Sequence, residues 1–148
     1  MIRNILINKE ENRHIEIGNA QTIGAREEQD DYFATCETKN GTMAVLADGI
    51  SGLANGRMAS TVAVTTFIEA FTALGNLTNI QEFFKATAVK SNKQIVQNLN
   101  GSNGGTTLVA VIIDAEGYLD WGAVGDSIIT MFRKGAFLAL NEKHMFEN

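Results

Sequence analysis

The spacing of apolar residues changes period twice along this chain, and that pattern restricts it to one class of fold. Up to Asp48 the sequence reads as short strands, "ILI", "HIEI", "AQTIGA", "DYFATCE" and "TMAVLAD", separated by "NKEEN", "REEQD" and "TKNG". The Asn-Gly before Thr42 is a strong hairpin signal because both residues accept positive φ, so residues 31–48 are expected to fold back on themselves. From residue 57 the period turns helical: Ala59, Ala63, Phe67, Ala70, Phe71 and Leu74 share one face until Gly75 stops the run. A second helix follows Asn79, an N-cap with Glu82 three residues on, and runs to a stop near Gly101. The two helices are expected to pair antiparallel. Strand grammar then returns. "TTLVAVIID" is nearly continuous and β-branched, as in a strand covered on both faces, and "DAEG" turns it into "YLDWGAV". "SIITMFR", the turn Lys134-Gly135 and "AFLAL" complete a meander. Strands, two helices, then antiparallel strands define an α+β fold.

A chain of 148 residues is about one domain, so 1–148 is read as a single unit. Proline is absent, so turns must be made by Gly, Asn and Asp. No apolar run approaches the roughly 18 residues that span a bilayer, and the N-terminus lacks the apolar core and cleavage site of a signal peptide. A cytoplasmic protein with no membrane partner is expected. The net charge of −5, without clusters of Lys and Arg, argues against nucleic acid. The single cysteine, Cys36, cannot form an internal disulfide and reads as a buried or half-buried strand residue.

"GSNGGTTL" is not a phosphate loop: it lacks the Lys-Ser/Thr pair, and a strand follows where a helix should. "GDSII" fails as a nucleophile elbow at its last position. His14 and His144 read as surface groups. The aspartates are more informative, because Asp30, Asp31, Asp48 and Asp126 each sit where a strand begins or ends. Hard cations such as magnesium and manganese take such carboxylates, supplemented by backbone carbonyls and water. Each Asp taken singly reads more readily as a turn or cap residue, and Arg26 alone as a solvated surface charge.

In combination and in order, these residues resemble the metal-dependent protein phosphatases of the protein phosphatase 2C family. The matching segments are "GAREEQDDYF" (24–33), "VLADGISG" (45–52), "GGTTLVAVI" (104–112) and "WGAVGDSIITMFRKGAFLAL" (121–140), with two helices between the second and third. The resemblance implies an antiparallel β-sandwich flanked by helices, four layers in the order αββα. It also implies a phosphoprotein substrate, and Mn2+ or Mg2+ in two or three sites. Asp48 would bridge the metals and Gly49 would offer its carbonyl to one of them. Asp30 corresponds to the acidic ligand near the N-terminus and Asp31 to the neighbour that orders metal-bound water, although the two could exchange roles. Arg26 corresponds to the phosphate-binding arginine, whose planar fork suits phosphate oxygens. Asp126 corresponds to a ligand of a weaker third metal; a turn-capping role for it stays open. Thr106 and Thr107 read as support residues.

Two departures accompany the resemblance. The motif after Asp48-Gly49 continues as Ile50-Ser51-Gly52, with no histidine where some members place a general acid. The chain also stops before the family's later "DG" and "DN" aspartates. It is therefore expected to be an incomplete sandwich that binds fewer ions, with a surface left open to self-association. The leading reading is a metal-dependent serine/threonine phosphatase, with catalysis assigned to Arg26 and Asp48. Its rivals are a non-catalytic phosphatase-like binding or regulatory module, and a plain α+β interaction domain whose aspartates are all turn residues.

Overall fold

The computed structural model describes residues 4–6, 15–50 and 53–143. His14, His144, Ser51 and Gly52 lie outside them. The elements run β1 (Asn4–Leu6), β2 (Tyr32–Thr38), β3 (Gly41–Ala47), α1 (Gly56–Ala73), α2 (Ile80–Leu99), β4 (Leu108–Asp114), β5 (Tyr118–Val124), β6 (Thr130–Arg133) and β7 (Ala136–Ala139). β1 to β5 form an antiparallel sheet in the order β1-β5-β4-β3-β2, and β6 and β7 form a separate two-stranded ribbon.

Strand alternation decides which side chains meet the helices. Met43, Val45 and Ala47 on β3 and Leu108, Ala110 and Ile112 on β4 are buried in one cluster with Ala59, Ala63, Val64, Phe67 and Phe71 of α1. α2 closes over α1 with Phe83 and Phe84; the Phe71 and Phe83 rings stand edge to face at 5.9 Å. The small Ala59 and Ala63 let α1 lie close to the sheet. On the opposite face Val109 and Val111 are only half-buried, so β4 is not covered equally on both sides as its apolar run suggested. The ribbon packs the rings of Phe132 and Phe137 at 4.8 Å, and both remain exposed.

Local signals are expressed largely as read. Asn79 caps α2 by accepting from Glu82 N at 3.0 Å, and Asn100 closes it in the left-handed conformation at φ 46°. The β2–β3 hairpin forms, but only Gly41 takes positive φ, at 124°. Asn40 instead uses its side chain, donating to Leu74 O at 3.1 Å and accepting from Leu77 N at 2.9 Å, which ties the hairpin to the α1–α2 connection. Two expected strands do not form. Residues 15–17 of "HIEI" and the whole of "AQTIGA" lack regular structure, and Ile15, Ile17 and Ile23 are exposed. Alternation gives a segment a face but not a partner strand.

Candidate functional site

β2 pairs with β3 so that Tyr32 faces Ala47, and the residues just outside that pair are Asp31 and Asp48. Register alone therefore brings two carboxylates to one end of the sheet. Leu46 pairs with Val109 on the other side of β3, which sets Thr107 opposite Asp48. Thr107 N donates to Asp48 O at 2.8 Å, Asp48 N donates to Thr107 Oγ1 at 3.1 Å, and Thr106 Oγ1 adds a bond to Asp48 O at 2.9 Å. Both backbone polar groups of Asp48 are thus held while its carboxyl stays free of the ladder. The threonines are the supports the sequence implied.

β5 ends at Val124, paired with Leu108, so Gly125 and Asp126 emerge at the same end. Thr107 Oγ1 and Ser127 Oγ share a hydrogen bond of 2.7 Å, and Asn141 fixes the loop by donating to Ser127 O and accepting from Ile129 N. Gly49 sits where three segments nearly touch. A Cβ there would lie 2.5 Å from the Gly56 carbonyl and 2.8 Å from Asp30 O, so only glycine fits. The Asp30 carboxyl lies against the start of α1, its Cγ 3.4 Å from the place of a Cβ on Gly56.

The charges act on one another. The Asp48 carboxyl is pushed up from 3.8 to about 6, first by burial and then by the neighbouring Asp31 carboxyl, through hydrogen bonding and charge. Asp126 pushes in the same direction, whereas Arg26 pulls it down. Asp48, Asp31, Asp126 and Arg26 therefore form one electrostatic group, with Arg26 and Asp126 on its exposed side. Asp31 Oδ1 is buried without a hydrogen-bond partner. An orphaned carboxylate oxygen beside a carboxyl that resists ionisation is the donor set a cation would satisfy. Among the described residues no group of three or more His, Cys, Asp or Glu is placed to hold a metal ion. A magnesium-like ion uses one or two carboxylates and keeps several waters, and Asp48 and Asp31 bring two carboxyls together here.

A family model described as protein phosphatase 2C matches residues 20–148. The chain belongs to the protein phosphatase 2C family. No curated protein matches it significantly. Among solved structures, a PPM serine/threonine phosphatase from Mycobacterium smegmatis, in complex with cacodylate, is 26% identical. It matches over 80% of this chain and 49% of its own, with a TM-score of 0.64. The serine/threonine phosphatase of Staphylococcus aureus is 21% identical, covering 91% of this chain and 58% of its own, at a TM-score of 0.73. The catalytic domain of the phosphatase PstP, solved with two manganese ions, is 21% identical over 82% of this chain and 52% of its own, at 0.69. The last two likenesses bear on the fold. The chain spans about half the length of these structures. The family's antiparallel sheet with two packed helices is the fold observed, and its members are metal-dependent phosphatases.

The structure also reveals residues the sequence reading passed over. Arg57 and Ser60 of α1 bind the backbone of residues 29–31, and Ser127 links the Asp126 loop to Thr107. In sequence Arg57 has only the pattern of an exposed helix charge, and Ser60 that of a small residue on a buried face. Among the described residues no helix is long and apolar enough to cross a membrane.

Proposed function

We propose that this chain carries the metal-binding and phosphate-binding half of a serine/threonine phosphatase site, acting on phosphoserine and phosphothreonine in proteins. The observation that carries the reading is the meeting of Asp31 and Asp48 at one sheet end, with Arg26 in electrostatic contact, in a chain of this family. Asp48 and the Gly49 carbonyl would hold Mn2+ or Mg2+ together with Asp30 or Asp31, with water filling the remaining positions. When bound, the ion supplies Lewis acidity to the phosphoryl oxygens and lowers the pKa of an attacking water.

The protein's own part is placement. Thr106 and Thr107 fix the Asp48 backbone, so the carboxyl does not have to be reorganised when the substrate arrives. Arg26 takes two phosphoryl oxygens in its planar fork, directing phosphorus towards Asp48. Asp126 adds negative charge at the exposed rim, where a further, more weakly held cation fits. The oxygen of a water bonds to phosphorus and gives up a proton to solvent as the P–O bond to the serine or threonine oxygen breaks. Ile50 cannot protonate that leaving oxygen, so the proton comes from solvent. The cytoplasmic location expected from the sequence is part of the same proposal.

The test is release of phosphate from a phosphothreonine peptide by the 148-residue chain, with increasing Mn2+, beside Asp48→Asn and Arg26→Ala. Manganese-dependent turnover that disappears in Asp48→Asn supports the reading. Metal binding without turnover favours the non-catalytic module, and full activity in Asp48→Asn refutes the site.

A further inference from the structure

Arg57 occupies the first turn of α1 and is exposed, where a helix ordinarily carries a solvated charge. Its Nη1 instead donates to two backbone carbonyls, those of Gln29, at 3.2 Å, and Asp31. The guanidinium carbon lies 5.0 Å from the centroid of the Tyr32 ring, within cation–π range, which fixes the plane from which those bonds are made. One helical turn further on, Ser60 Oγ donates to Asp30 O, the same oxygen that accepts from Gly49 N. The carbonyls of residues 29, 30 and 31 are therefore each held by α1.

This segment has no ladder of its own, because it lies just before β2. With no sheet partner, its backbone conformation is set by whatever ties its polar groups. We infer that Arg57 is a positioning residue. By holding the Gln29 and Asp31 carbonyls, it sets the directions in which Asp31 projects its carboxyl beside Asp48 and Asp30 its carboxyl against Gly56, and so the arrangement offered to a divalent cation. The inference rests on the proposed function, since those carboxylates are the ones assigned to the ion. Charge alone would favour the opposite residue here, because a cation beside a metal site opposes metal binding. A role as a backbone clamp accounts for an arginine here. Lysine can donate to a carbonyl but lacks the planar face that stacks on Tyr32.

The experiment compares wild type, Arg57→Ala and Arg57→Lys by Mn2+ calorimetry, at a temperature where thermal melts show all three folded. Arg57→Ala is expected to weaken binding by about 10- to 100-fold, the range for groups that orient ligands, and Arg57→Lys to recover part of it. Removing a positive charge would by itself strengthen cation binding, so weakening identifies the clamp. A role confined to helix stability would lower the melting temperature and leave the affinity of the folded protein unchanged. The second readout needs no metal. Backbone order parameters of residues 29–31 should fall in Arg57→Ala, from the rigid value of about 0.85 towards about 0.6 or less. Unchanged affinity in Arg57→Ala overturns the inference. If wild type binds no Mn2+, the proposed function fails, and the order parameters alone decide: loosening of residues 29–31 sustains the clamp, and no loosening refutes it.

Discussion

Replacing Asp48 with Asn should stabilise the metal-free protein while removing its metal binding. The carboxyl is raised from 3.8 to about 6, by burial first and by Asp31 next. A raised carboxyl contributes stability that is fully present below 3.8 and is lost as pH rises through about 6. At neutral pH the ionised Asp48 is therefore a liability in the absence of a cation. In an unscreened site that interval corresponds to about 3 kcal/mol. Solvent reaches this carboxyl, and screening reduces the effect to about 1 kcal/mol. For a chain of this size that is a rise of about 2–4 °C in melting temperature. Asn keeps an N–H that can face Asp31, so it mimics the protonated acid without the repulsion. The assay is thermal unfolding followed by circular dichroism in chelator, at neutral pH and at about pH 4, where the advantage of Asn should shrink as wild-type Asp48 takes up its proton. An Asn variant no more stable than wild type at neutral pH, or equally advantaged at both, would refute the electrostatic account.

Metal affinity should fall as pH drops through about 6, because protons compete for Asp48, and calorimetry across that range checks it. Gly49→Ala forces a Cβ to within 2.5 Å of the Gly56 carbonyl and should cost about 1–3 kcal/mol in denaturant unfolding. Gly75→Ala, with nothing within 4 Å of its Cβ, should stay within about 0.5 kcal/mol in the same measurement. Phe67→Ala empties a site 1% exposed within the aromatic cluster and should lower stability by about 3–5 kcal/mol.

Sequence carried the fold where a local rule had only one way to be satisfied. Asn79 with Glu82 could only begin a helix, Gly101 could only end one, and the helical period from Ala59 to Phe71 could not sit in a strand. "HIEI" and "AQTIGA" have a local pattern as good as that of β2, but a strand also needs an unoccupied neighbour, and no local rule supplies one. The meeting of aspartates at strand ends was legible, since Asp48 follows directly on β3 as its position implied. Which of Asp30 and Asp31 lies beside Asp48 was not, because it depends on a one-residue register that exchanges the two faces of a strand. The Tyr32–Ala47 pairing brings the Asp31 carboxyl beside Asp48, while the Asp30 carboxyl lies against Gly56. Arg57 was invisible for a different reason: its partners are backbone carbonyls far away in sequence, and backbone carbonyls leave no trace in residue identity.

The central claim is that strand-end carboxylates of this chain hold a divalent cation, and the most direct measurement is Mn2+ binding followed by electron paramagnetic resonance. Wild type should remove free Mn2+ from the spectrum saturably, and Asp48→Asn should leave it free at the same protein concentration. Equal binding by the two proteins, or none by wild type at neutral pH, would contradict the account.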